Sequence, residues 1–369
     1  MAKRTALYDC HNAAHALMVD FAGWDMPLHY GSQLEEHHII RRSAGMFDVS
    51  HMVVVDVTGA TATAFLRYLL ANDVAKLTAP GKALYSCLLN EQGGIIDDLI
   101  VYRLTDTFYR IVVNAGTAEK DIAWFEKQAS AFAVSIKRRS DLSILAIQGP
   151  DAMAKTMAVL TPARCIAIAS LKPFEAALTE EWLIARTGYT GESGYEVILP
   201  STDIIAFWQA LLAVGVAPCG LGARDTCRLE AGLNLYGNDM DESVTPFESN
   251  LAWTVALMPV DRDFIGRHAL VAQQQAGVKK IMVGLVLAGR GVLRHDQRVV
   301  VAGCGEGVIT SGTFSPTLQR GIALARVPAG VTHICEVDVR GKLLEAIVIK
   351  PPFVKNGQST ISSFIQEVS

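Results

Sequence analysis

Residues 93–99 read GGIIDDL and run on into IVYRL. Two adjacent carboxylates, Asp97 and Asp98, stand in what is otherwise an apolar strand. Successive strand side chains point to opposite faces. Asp98 therefore shares a face with Ile96, Ile100 and Tyr102, and Asp97 with Ile95, Leu99 and Val101. Both faces are apolar, so at least one carboxylate is aimed at a dry place, where an unpaired polar group costs roughly 2–7 kcal/mol. Two readings stand. Either the pair follows a hairpin turn and bonds solvent and local N–H groups, or one carboxylate lies in a cavity. There it can accept a proton from a bound nitrogen or stabilise cationic character on it.

Two further segments offer ligand-binding groups. In TGYTGESGYEV, residues 187–197, Glu196 sits between apolar Tyr195 and Val197. It is either a strand-edge residue or a buried acceptor whose two oxygens meet adjacent N–H and NH₂ groups of an amino-heterocycle. In CGLGARDTCRLEAGLNLYG, residues 219–237, a glycine-rich loop opens a helix near Ala223. Asp225 reaches Arg228 at i,i+3. Arg224 either belongs to that ion-pair network or joins the helix N-terminus in receiving ligand oxygens.

Other chemistries are disfavoured. His11 and His15 are four apart and His37 and His38 adjacent, but no H-E-x-x-H occurs, and the seven cysteines form no C-x-x-C pair. GPDAMAKT lacks the glycine a phosphate loop needs before Lys155, GLGARD ends in Asp where a dinucleotide fingerprint needs Gly or Ala, and no G-x-S-x-G elbow is present. Neither metal nor redox cofactor is expected.

The elements that must hold these groups follow from periodicity. ALYSCLLNEQGGIIDDLIVYRL reads as a hairpin turned at Gln92-Gly93-Gly94, and WLIARTGYTGESGYEVILP as a second with Gly191 and Gly194 at its turn. TATAFLRYLLAND and TAEKDIAWFEKQASAF read as helices, the second with Thr117 as N-cap. Residues 204–223 are uncharged over twenty positions, but three glycines and a proline interrupt them, so they read as a ten-residue buried helix followed by a loop and strand. After residue 280, six short strand-like runs parted by Gly and Pro point to a small closed or Greek-key barrel.

The resulting expectation is an α+β fold. Residues 1–50 with 140–250 form one domain and 51–139 a second that carries the doublet. Residues 251–280 form a connector and 281–369 a C-terminal β-barrel domain. Half of the 369 residues are hydrophobic and the net charge is −4, which supports real cores and gives no general attraction to nucleic acid or anionic membrane. The N-terminal text has no apolar signal region, and the unpaired cysteines fit a reducing compartment, so a cytoplasmic location is expected.

Taken together and in order, FAGWDMPLHY, GMFDVSHM, GGIIDDLIVY, VVNAG, GYTGESGYE, GLGARDTCRLEAGLNLYGND and TSGTFSPTLQRGIALARVP resemble the glycine cleavage system T-protein family of aminomethyltransferases, across nearly the whole chain. The resemblance implies a three-domain cloverleaf with tetrahydrofolate, the acceptor substrate, in a central channel. It implies a lipoylated H-protein partner that delivers the aminomethyl group. Carried over by position, it makes Asp98 the catalytic carboxylate and Glu196 and Arg224 pterin contacts, with Met52, Tyr85, Asn114 and Tyr189 lining the channel. Cys227 departs from the leucine usual there. Candidate basic patches for the H-protein are Arg41 with Arg42, Lys137 to Arg139, and Lys279 with Lys280. A demethylase of the same fold remains a rival, separable by whether turnover needs H-protein or a free small donor.

Overall fold

The structure, a computed structural model, describes residues 2–361. The last eight residues of the expected barrel segment lie outside the described residues. Two antiparallel-rich sheets face one another. The first runs Ala83–Leu89, Ile95–Thr105, Phe108–Val113, Val53–Thr58, Ser135–Arg138, antiparallel throughout. The second takes Gly45–Asp48 from the N-terminal segment and the rest from 142–218. Its order is Ala176–Thr179, Trp182–Ala185, Gly194–Pro200, Leu142–Gln148, Gly45–Asp48, Ala217–Pro218.

Each sheet is apolar on both sides, which is why its strands read as near-continuous hydrophobic runs. Helices Ala62–Leu69 and Ala118–Gln128 cover the outer face of the first sheet through Phe65, Leu66, Leu69 and Phe125. The helix Ile204–Ala213 covers the outer face of the second with Ile204, Phe207, Trp208 and Leu211; burying each such side chain contributes roughly 1.5–3 kcal/mol. The ten-residue reading holds for this helix, and no helix among the described residues is long and apolar enough to cross a membrane. Between the sheets, Val54, Tyr102 and Val112 of the first meet Ile144, Ala146 and Ile198 of the second.

The doublet hairpin forms as its turn text requires, with Gly93 at φ +82°. A side chain at Gly94 would put its Cβ 2.0 Å from the Glu242 carbonyl oxygen, so only glycine lets this turn press against the 241–244 loop. One expectation fails here. The register slips by a residue between Leu88 and Leu89, a bulge that leaves Ile96 outside the pairing. Ile96 consequently packs with Leu88, Leu99 and Val101, not with Ile100 and Tyr102.

The six C-terminal runs close into a barrel in the order Lys280–Leu287, Arg320–Pro328, Gly305–Ser315, Arg298–Val301, Ile334–Val339, Lys342–Ile349. It is fastened to the helix Leu221–Glu230. Buried Glu230 accepts from Ser315, from the Thr317 N–H (3.0 Å) and hydroxyl (2.8 Å), and from Arg41 (2.8 Å), with His37 at 3.3 Å. Arg228 of the same helix donates to Ser311 at 2.9 Å. Arg41 is thereby removed from the expected docking patches, because its guanidinium is buried between Glu230 and Glu192 (each 2.8 Å).

Candidate active site

The two sheets part to enclose a cavity of about 970 Å³, completed by the helix Leu221–Glu230, the 186–193 loop and the 232–253 segment. Asp98 and Glu196 face it from opposite walls. Asp98 lies on the inner face of the first sheet with Ile100 and Tyr102. Glu196, paired in register with Ala146 and Ala185, lies on the inner face of the second.

Alternation sends the neighbour the other way. Asp97 is fully buried, and its carboxylate accepts from the Asn114 N–H (3.1 Å), the Asn114 amide (2.8 Å) and the Thr117 hydroxyl (2.8 Å). Thr117 stands at the N-cap position but makes no capping bond, because its hydroxyl serves Asp97. Asp98 is held by both oxygens, Oδ2 accepting from the Tyr85 hydroxyl and Oδ1 from the Asn114 amide, each at 2.9 Å. Its partial exposure is to the cavity. Burial first, then the Asp97 charge, pushes Asp98 up to about 7, against the pull of the Tyr85 and Asn114 hydrogen bonds. A carboxyl at that value exchanges its proton readily near neutral pH, the condition a general base needs.

On the opposite wall, Glu196 Oε2 accepts from the Thr187 hydroxyl at 2.6 Å. Thr187 has one hydrogen to give, so the Tyr102 hydroxyl, 3.3 Å away, donates to Thr187. This chain ties the two sheets across the cavity. Arg224 lies over the Tyr189 ring at 4.7 Å and the Phe47 ring at 5.8 Å. Its Nη1 is buried with no acceptor among the described residues. Burial lowers its pKa and the Glu196 charge opposes that. An unmet guanidinium N–H beside a half-bonded carboxylate suits a flat ligand that offers an oxygen to one and N–H groups to the other. The N-terminus of the arginine helix is less free, because Gly220 N–H already donates to Glu36 at 2.8 Å. That helix begins at Leu221, two residues before Ala223.

All seven expected site residues, Met52, Tyr85, Asp98, Asn114, Tyr189, Glu196 and Arg224, line this one cavity. Tyr189 donates to the Asn234 carbonyl. Sequence reasoning missed three contributors. Trp253, in the segment read as a connector, stacks on Tyr85 with centroids 5.6 Å apart and is 62% exposed. The hairpin Leu17–Phe21 with Trp24–His29, unread because neither of its faces is consistently buried, brings Phe21 and Leu28 to the wall. His51, beside Met52, also lines the cavity, and burial pushes it down to about 4, leaving a neutral imidazole. No group of three or more His, Cys, Asp or Glu among the described residues is arranged to hold a metal ion.

The comparisons with known proteins cover the same span. Residues 7–258 match the GCVT N-terminal domain family and residues 280–355 the glycine cleavage T-protein C-terminal barrel domain. The chain is 59% identical over 356 residues to an aminomethyltransferase of Chromobacterium violaceum, covering 96% of this chain and 98% of that one. It is 56% identical over 358 residues to an aminomethyltransferase of Legionella pneumophila (strain Corby), covering 97% and 99%. The crystal structure of the glycine cleavage system aminomethyltransferase T from Bartonella henselae superposes with a TM-score of 0.90 at 37% identity, covering 96% of this chain and 99% of that one. By sequence over both of its parts and by fold over nearly its whole length, the chain belongs to the glycine cleavage T-protein family of aminomethyltransferases.

Proposed function

We propose that this chain moves a one-carbon unit from an aminomethylated dihydrolipoyl arm on an H-protein to tetrahydrofolate, with Asp98 as the carboxylate at the reacting atoms. The arm's C–N and C–S bonds break and the carbon bonds to folate N5 and N10. The two hydrogens displaced from those nitrogens end on ammonia and the lipoyl thiol. The carbon keeps its oxidation level, so the balance calls for no redox partner.

The observation that carries this reading is Asp98 itself, a carboxyl poised at about 7 on a cavity wall and oriented through both oxygens. As the amine leaves, positive charge develops on the carbon unit. A fixed carboxylate in a low-dielectric site stabilises it without reorganising, and it can take a proton from a folate nitrogen. Glu196 receives the pterin N–H and 2-NH₂ edge, and Arg224 the ligand oxygen. Met52, Tyr85, Asn114 and Tyr189 shape the channel between them. The direct test is tetrahydrofolate-dependent release of ammonia from aminomethylated H-protein. Turnover with a free small methyl donor in place of H-protein would favour the demethylase reading instead.

A further inference from the structure

Behind the doublet lies a third carboxyl. Asp121, on the helix Ala118–Gln128, is fully buried, and neither of its oxygens receives a hydrogen bond from any donor among the described residues. It stands one turn beyond Thr117, its N–H donating to the Thr117 carbonyl at 2.9 Å, and the Thr117 hydroxyl in turn touches Asp97, so that Asp97 and Thr117 both act on it. Thr117 has a single hydroxyl hydrogen, and its acceptors are Asp97 at 2.8 Å and, farther off, the Asn114 carbonyl at 3.2 Å. Between Asp121 and Asp97, then, two carboxyl groups meet with no other hydrogen to share. Two ionised carboxylates cannot remain so placed in a dry interior, and one must keep its proton. Asp97 accepts three hydrogen bonds that favour its charged form, whereas Asp121 accepts none. The proton belongs to Asp121.

We propose that Asp121 is a positioning residue for the transfer reaction: a neutral carboxylic acid that donates its O–H to Asp97, locking the Asp97 carboxylate in the orientation that aims the Asn114 amide at Asp98. Asp121, Asp97, Asn114 and Asp98 thus form one line from the helix, through the sheet, to the cavity wall. The charged groups that act on Asp121 are Asp97 on the strand and Lys120 on its own helix. The Lys120 ammonium is engaged with Glu242 (2.7 Å) and the Tyr236 hydroxyl (3.1 Å). Burial and the Asp97 charge push Asp121 up to about 10, in keeping with the geometry.

The proposal rests on Asp98 being the catalytic carboxylate, and its first test does not depend on turnover. At a pH between the values of about 7 for Asp98 and about 10 for Asp121, infrared spectra of the full chain should show the carbonyl band of a neutral carboxylic acid. That band should vanish in Asp121→Asn. The kinetic test compares two variants. Asp121→Asn, whose amide N–H can replace the O–H, should keep kcat within about threefold of wild type, whereas Asp121→Leu should lose about tenfold or more in kcat with KM for tetrahydrofolate little changed, the pattern of a lost transition-state interaction. Absence of the band, or an Asp121→Asn variant as slow as Asp121→Leu, would overturn the proposal. If Asp121→Leu does not fold, the band and the Asn variant decide. Wild-type turnover in Asp98→Asn with the band intact would instead remove Asp98 from catalysis.

Discussion

One amide serves both members of the doublet: Asn114 Nδ2 donates to Asp97 Oδ1 at 2.8 Å and to Asp98 Oδ1 at 2.9 Å. The two hydrogens of a single –NH₂ reach round the strand to carboxylates on its opposite faces. The buried charge that raises Asp98 and the donor that restrains the rise are thus coupled through one side chain.

Asp98→Asn should leave tetrahydrofolate affinity within about tenfold while turnover falls at least ~100-fold, the scale for removing a general base. Steady-state ammonia release alongside a folate titration separates the two effects. Stability should move the other way. A carboxyl raised from 3.8 to about 7 favours the folded state at low pH and forfeits that advantage as pH rises through 7. The Asn variant should therefore melt higher than wild type at pH 8 and lose its lead towards pH 4.

In Asn114→Ala, Asp98 loses a hydrogen bond to its charged form, so its pKa rises above 7. Activity that needs the ionised carboxylate should then switch on at higher pH, visible as an alkaline shift of the ascending limb of kcat against pH. Tyr85→Phe should shift the limb in the same direction, since the phenol bonds Asp98 alone. An unmoved limb in both variants would detach that limb from Asp98.

Glu196→Ala should weaken tetrahydrofolate first and chemistry second. A hydrogen bond to a charged group contributes about 1.5–3 kcal/mol, or roughly ten- to a hundredfold in Kd. Calorimetric titration reads this directly, and an unchanged Kd would take Glu196 out of the pterin contact.

Glu230 governs acid stability. Burial would raise its pKa, but the His37 hydrogen bond and charge, the Arg41 charge and the Ser315 hydroxyl outweigh burial and hold it at about 2. The stability it contributes is complete above its ordinary value of 4.5 and disappears as pH falls towards 2. Glu230→Gln should cost about 3–5 kcal/mol at neutral pH, the scale for breaking a buried pair. Its melting temperature should also fall less than that of wild type when pH is lowered through 4.5.

Legibility in the sequence followed how local the signal was. The doublet strand, the two helices over its sheet, the helix Ile204–Ala213 and the six barrel strands each carry their own period, and their text sufficed. The bulge at Ile96 arises because Leu88 pairs with Asp97 and Leu89 with Ile95, a register that a one-strand pattern does not record. Gly45–Asp48 is four buried residues in mid-sheet, too short for any period. Arg41 looked like surface charge beside Arg42, because the acids that bury it come from positions 192 and 230. For the site, resemblance named seven wall residues, whereas Thr187, Trp253 and Asp121 owe their places to contacts distant in sequence or out of sight of the ligand.

The barrel gives the cavity wall little beyond Thr313, yet amputating it would be felt at the guanidinium of Arg224. A chain cut before residue 280 would strip Ser311, Ser315 and Thr317 from the far turn of the helix that bears that arginine. Glu230 would keep its charge without most of its donors, and the helix would be free to roll. Such a truncated protein should retain the doublet and its amide clamp but bind tetrahydrofolate poorly, which would make the C-terminal quarter a remote splint for recognition rather than an appendage.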